Sequence, residues 1–143
     1  MKHVSKSPEN TGEIAKSFPE TLKVGPKARV VGLVGDLGAG KTVFSQALGK
    51  VLGVEEHMQS PTFLIEKIYE LKGQNWTHLI HIDAYRLDKE DELISLGWNE
   101  IISKPENLIV VEWADKIKSI LPEDTQMLEF TFVDDTTRTI EYA

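Results

Sequence analysis

The chain has 143 residues, 16 basic against 23 acidic for a formal charge of −7, and no cysteine. That length predicts one domain over 1–143, able to bury roughly two-thirds of the surface its unfolded form exposes. The acidic balance disfavours a direct electrostatic grip on RNA or DNA; the missing thiols exclude disulfides and thiolate metal sites; and no apolar run approaches a membrane span or secretory signal. A cytoplasmic protein with no membrane partner is expected. In chain order, Ser7-Pro8-Glu9 reads as a helix start, with Ser at the cap, Pro at the first helical position and an acid in the first turn. Ile14, Ala15 and Phe18 fall on one side of this helix, and Pro19 stops it. Thr11 lies within it and, on its own, reads as a surface hydroxyl. Gly25-Pro26 turns the chain into a strand over 29–34, apolar throughout as expected where a parallel sheet is covered on both faces.

Gly35-Asp36-Leu37-Gly38-Ala39-Gly40-Lys41-Thr42 then satisfies G-x-x-x-x-G-K-[ST] at every fixed position. Behind it, Phe44, Ala47, Leu48, Val51 and Leu52 recur at i, i+3, i+4, i+7 and i+8, predicting a helix that packs on the sheet and ends near Gly53. Strand, glycine-rich loop and helix together read as a phosphate-binding P-loop. Glycines let successive N–H groups face one concavity, and the helix adds its positive end. Lys41 is expected to reach the β- and γ-phosphates, and the Thr42 hydroxyl to be one ligand of Mg²⁺.

Ser60-Pro61-Thr62-Phe63 follows in a loop, and a strand of alternating character runs from Leu64 to Leu71. After a turn at 71–75, Trp76 to Asp83 predicts the second strand of a hairpin and ends on a carboxylate. Residues 88–102 predict an acid-rich helix broken at Gly97, with Leu93, Ile94, Leu96 and Ile101 at helical spacing. Leu108-Ile109-Val110-Val111-Glu112-Trp113 repeats the pattern of apolar strand plus carboxylate. A short helix over 114–120 and two strands, about 126–133 and 137–142, close the chain as a hairpin at one edge; Arg138 lies in the last. The fold class expected is a three-layer α/β P-loop NTPase-like fold, its central sheet mostly parallel with added antiparallel hairpin strands.

In an open parallel sheet, ligands bind beyond the carboxyl ends of the strands, so Asp83 and Glu112 can face the same metal and γ-phosphate. Transfer or hydrolysis of that phosphate needs charge neutralisation and a positioned nucleophile. Lys41 and Mg²⁺ would supply the first; Thr42 with one of Asp83 or Glu112 would hold the metal, and the other acid would orient water. Thr62 can sense the γ-phosphate through its hydroxyl. His78 and His81 are three apart, which on a strand places them on opposite faces and argues against zinc. Trp76, Trp98 and Trp113 read as core or interface. The chain lacks an N-K-x-D element, which tilts the nucleotide from GTP to ATP.

With the P-loop, Ser60-Pro61-Thr62-Phe63, His81-Ile82-Asp83-Ala84-Tyr85-Arg86-Leu87 and Glu112-Trp113 in the same order, the chain resembles the TsaE family, formerly YjeE, from about Thr11 to Arg138. The resemblance implies a bacterial ATPase, weak alone, required for threonylcarbamoyladenosine at position 37 of tRNA. Its partners would be TsaB and TsaD, its cofactors ATP and Mg²⁺, and its contact with tRNA only indirect. By motif, Asp36, Leu37, Gly38, Ala39, Gly40, Lys41 and Thr42 resemble the phosphate cradle, and Thr42 and Glu112 the magnesium pair. Asp83 resembles the acid near the attacking water, Thr62 the switch threonine, Thr11 an N-terminal threonine near the nucleotide, and Arg138 a late arginine beside the base. Two positions depart from the pattern: Val43, where a second threonine is usual, and Ala114, where proline is usual. A small-molecule kinase and a nucleotide-gated, non-catalytic binding module are the alternatives. Against the kinase, only Arg86 and Arg138 follow Arg29, too few for an arginine-rich lid.

Overall fold

The computed structural model describes residues 1–36, 38–54 and 66–142, apart from the side chain of Arg86. Its elements in chain order are β1 (Lys2–Ser5), α1 (Pro8–Ser17), β2 (Arg29–Gly35), α2 (Lys41–Val51), β3 (Glu66–Glu70), β4 (His78–Asp83), α3 (Glu90–Ser95), α4 (Trp98–Ile101), β5 (Asn107–Glu112), β6 (Gln126–Phe132) and β7 (Arg138–Glu141). Short 3₁₀ segments occupy Phe18–Thr21, Ala84–Arg86 and Ala114–Ile120. Ser7 caps α1 by accepting a hydrogen bond from the Asn10 N–H at 3.0 Å, and Gly97 separates α3 from α4 in a left-handed conformation.

All seven strands join one sheet in the order β1-β7-β6-β2-β5-β4-β3. The pairs β6 with β2, β2 with β5 and β5 with β4 are parallel, whereas β3 with β4, β6 with β7 and β1 with β7 are antiparallel. The four central strands therefore end at one edge, and the antiparallel strands lie outside them. The apolar runs of β2 and β5 are buried on both faces, because each face carries its own core. On one side Leu33, Val110 and Leu79 pack against Phe18 before β2 and against Phe44 and Leu48 of α2. On the other, Val30, Ile80, Ile82, Ile109 and Val111 pack against Leu93 and Trp98 of α3 and α4 and against Ile117. The result is three layers.

Several expectations are corrected. The terminal hairpin does not form an edge: β6 pairs with β2 in the middle of the sheet, and β7 is covered by β1, a strand the N-terminal residues did not announce. β1 is four residues long and pairs across almost the whole chain, so its neighbours in sequence carry no trace of it. The second hairpin strand starts at His78, two residues after Trp76, and the 114–120 helix is a 3₁₀ segment. Val51, placed by periodicity on the buried face of α2, is 37% exposed. Thr11, read as a surface hydroxyl, is buried and hydrogen-bonds the Ser5 hydroxyl at 2.6 Å. Among the described residues no helix is long and apolar enough to cross a membrane.

Candidate functional site

The loop after β2 is shaped by glycines at positive φ: Gly35 at 139°, Gly38 at 79° and Gly40 at 98°. At Gly35 no other residue fits, because a Cβ would stand 2.1 Å from the Phe130 carbonyl oxygen of β6. Gly40 is the N-cap of α2, and no side-chain hydrogen bond caps the helix. The first-turn N–H groups of α2 are therefore available to an anion in the loop. Lys41 opens the helix and is almost wholly buried. Its ammonium donates to the carbonyls of Gly35 and Asp36, each at 2.7 Å, and lies 4.0 Å from the centre of the Trp113 ring. Burial pulls its pKa below the ordinary 10.5, opposed by the charges of Glu112, Asp115, Asp36 and Asp83. Trp113 follows β5 with φ at 60°, the one non-glycine residue with positive φ among those described, and leans on Tyr85 with ring centres 5.0 Å apart. A bulky residue held in this conformation marks a place where the surroundings dictate the backbone.

β4 and β5 are parallel with Asp83 opposite Glu112, so both strand-end acids reach the same edge as the loop. Alternation sets His81, Asp83 and Glu112 on the α2 side of the sheet. Glu112 is buried, with one carboxylate oxygen accepting from the Thr42 hydroxyl at 2.8 Å and the other 2.5 Å from Nε2 of His81. Asp83 is half-buried and accepts from the Tyr85 N–H at 3.0 Å, starting the turn after β4. Gly38, Gly40, Lys41, Thr42, Val43, Glu112 and Trp113 line one open cavity of about 200 Å³. Among the described residues no group of three or more His, Asp or Glu side chains assembles that could hold a metal ion. The Thr42 and Glu112 oxygens remain as a two-ligand set, which suits a hard cation that keeps most of its water.

On the opposite flank of the loop a second cavity of about 280 Å³ is lined by residues that include Ser5, Pro8, Thr11, Gly38, Val43, Asp135 and Arg138. Arg138 donates from Nε to the Gly38 carbonyl at 2.9 Å and from its terminal nitrogen to the Asp134 and Thr137 carbonyls, with Phe132 beneath the guanidinium. The β6–β7 turn is thereby tied to the glycine loop. Val43 faces both cavities, and Ala114 is fully buried with its Cβ against Gly32 of β2.

The structure thus brings Asp36, Gly38, Ala39, Gly40, Lys41, Thr42, Asp83 and Glu112 to one sheet edge, and Thr11 and Arg138 to the flanking cavity. Leu37 and Thr62, with the rest of Ser60-Pro61-Thr62-Phe63, lie outside the described residues, as does the side chain of Arg86. Two contributors were missed. Trp113 read as core or interface, and its cation–π contact with Lys41 has no sequence signature. His81 enters the sequence reading as the start of the His81-to-Leu87 motif and as a zinc ligand argued against, with no role of its own; a polar residue at the buried parity of β4, two before a strand-end acid, is the signal available.

A parallel sheet that delivers a glycine loop and a carboxylate to the start of the following helix is the architecture of the P-loop nucleotide-binding proteins. A family model described as threonylcarbamoyl adenosine biosynthesis protein TsaE matches residues 5–140. The chain belongs to the TsaE family. The tRNA threonylcarbamoyladenosine biosynthesis protein TsaE of Treponema pallidum is 32% identical over 143 residues, covering all of both chains, and that of Bacillus subtilis is 35% identical over 95% of this chain and 80% of its own. The Rickettsia conorii relative of the same name is 38% identical over 83% of this chain, which spans 64% of its length. Among solved structures, Bacillus subtilis YdiB superposes with a TM-score of 0.75 at 30% identity, over 99% of this chain and 83% of that one.

Proposed function

We propose that this chain is a magnesium-dependent ATPase, a single P-loop domain over 1–143 that hydrolyses ATP for the cytoplasmic complex making threonylcarbamoyladenosine at position 37 of tRNA, with TsaB and TsaD as partners. Contact with tRNA is indirect in this reading, in keeping with the formal charge of −7. The observation that carries it is the pairing of Thr42 with Glu112. Their oxygens lie 2.8 Å apart, close to the ~3.0 Å edge of an octahedron with metal–oxygen distances of about 2.1 Å. Both are hard donors, and the spacing fits two neighbouring ligands of one magnesium ion. When bound, magnesium supplies positive charge against the β- and γ-phosphate oxygens.

The chain's own groups do the rest. Backbone N–H groups of the loop Asp36 to Gly40 and of the first turn of α2 receive phosphate oxygens, and the Lys41 ammonium adds a point charge. Asp83, in register with Glu112, holds the water that attacks the γ-phosphorus; the bond to the bridging oxygen breaks, leaving ADP and phosphate. Thr62 is the switch hydroxyl in this scheme. Thr11 and Arg138 flank the nucleoside, since both line the cavity beside Gly38. Tyr85, 52% exposed beside Trp113, offers an aromatic contact to a partner.

The test is phosphate release from ATP and Mg²⁺ by the purified protein, alone and with TsaB and TsaD. Slow release that changes when both partners are added supports the reading. Release that begins only with a small-molecule acceptor makes the protein a kinase instead, and a normal rate in Lys41→Ala refutes the site.

A further inference from the structure

His81 is the one side chain of the cluster that reaches neither the glycine loop nor solvent. It sits between Leu79 and Asp83 on the α2 face of β4, fully buried, with Val110 of β5 and Lys67 of β3 as its register partners. An apolar residue would satisfy that environment. Instead the ring keeps Nε2 at 2.5 Å from the Glu112 carboxylate, while Nδ1 is buried with no hydrogen-bond partner among the described residues. A carboxylate only accepts, so Nε2 carries the proton. Nε2–H is thus a single donor aimed at a single carboxylate oxygen.

The consequence falls on Glu112. Its two oxygens are divided: Oε2 is occupied by His81, and Oε1 is left facing the Thr42 hydroxyl. A carboxylate held at one oxygen loses its rotation about the last side-chain torsion. We propose that His81 is a positioning residue that fixes the Glu112 carboxylate so that one defined oxygen stands beside Thr42 for the magnesium ion. His81 touches neither metal nor nucleotide; it acts only through Glu112, and the inference rests on the reading of Thr42 and Glu112 as the magnesium pair. Residues that orient metal ligands in this way typically change metal affinity or activity about 10–100-fold when lost.

The experiment is calorimetric titration of the full chain with a non-hydrolysable ATP analogue, in magnesium and in EDTA, using His81→Gln and His81→Asn, with folding checked by circular dichroism. The glutamine amide nitrogen reaches the place of Nε2, whereas the shorter asparagine places its nitrogen near Nδ1. In wild type, magnesium should tighten binding. His81→Asn should lose about tenfold of that gain with affinity in EDTA unchanged, and His81→Gln should restore most of it. His81→Leu, which keeps the volume and removes the donor, gives the same comparison if the asparagine variant does not fold. Equal losses in the glutamine and asparagine variants, a loss that persists in EDTA, or no loss at all would each overturn the inference while leaving the proposed function standing. A wild-type protein that gains nothing from magnesium would overturn the magnesium reading itself.

Discussion

Replacing Gly35 by alanine puts the geometry of the glycine loop to a quantitative test. The residue closes β2 opposite Phe130 of β6 and has φ at 139°. An added Cβ would lie 2.1 Å from the Phe130 carbonyl oxygen, 2.9 Å from its carbonyl carbon and 3.1 Å from its Cβ. Reaching even a 3.0 Å contact requires roughly 0.9 Å of movement between two paired central strands. Phe130 cannot yield cheaply, because it is buried edge-on against Phe44 of α2 with ring centres 5.5 Å apart. Overpacking of this kind costs about 1–3 kcal/mol, and a backbone conformation available essentially to glycine alone about 1–3 more. Against a total stability of about 5–15 kcal/mol, the combined cost of about 2–6 kcal/mol, at about 3–5 °C per kcal/mol for a domain this size, should lower the melting temperature by about 6–30 °C.

Gly38→Ala is the control for that argument. Gly38 has φ at 79°, but nothing lies within 4 Å of the position its Cβ would take. Only conformational strain remains, about 1–2 kcal/mol, and a fall of roughly 5 °C is expected. Thermal unfolding followed by circular dichroism compares the two. Similar melting temperatures would refute the claim that the contact with β6, rather than φ alone, demands glycine at 35. Because the Gly35 carbonyl is also an acceptor for Lys41, Gly35→Ala should weaken nucleotide binding in the same titrations.

Three further outcomes follow from the site. Asp83→Asn keeps an acceptor for the Tyr85 N–H, so stability should change by less than about 1 kcal/mol while phosphate release falls about 100-fold with nucleotide affinity retained; parallel losses of release and affinity would place Asp83 in binding instead. Arg138→Ala removes the hydrogen bond to Gly38 and one wall of the flanking cavity; KM for ATP should rise about tenfold with little change in kcat, roughly the worth of one hydrogen bond from a charged donor, and an unchanged KM would detach that cavity from the nucleotide. Lys41 has its folded pKa depressed below 10.5, chiefly by burial, so between the folded and unfolded values the unfolded chain binds more protons and stability rises with pH. The stability of wild type relative to Lys41→Met, measured by denaturant titration, should therefore be lowest near neutral pH and improve through the alkaline range approaching 10.5. A difference independent of pH would contradict the desolvation.

How much of this was legible in the chain depends on the range of the interaction. The Ser7-Pro8 helix start, the break at Gly97 and the turn from Gly40 into the helix at Lys41 are local: each follows from backbone freedom, missing donors or side-chain caps within a few residues, and each lies where its residues say it should. Apolar strands ending in acids were equally plain. Whether those acids met was not, because sequence carries no record of strand direction; parallel pairing of β4 with β5 put Asp83 beside Glu112, and an antiparallel pairing would have sent them to opposite edges.

Long-range pairing explains the remainder. β1 closes the sheet edge only because β7 returns to it from the far end of the chain, and that closure buries Thr11 against Ser5 and builds the cavity shared with Arg138. His81 reads as a stray polar residue in a strand until α2 and β5 bring Thr42 and Glu112 to it. The residue types and local backbone of this site were written in sequence through short-range sterics and hydrogen bonding. Which polar groups became partners was decided by the strand order, since only packing from both sheet faces excludes the water that would otherwise satisfy each of them alone.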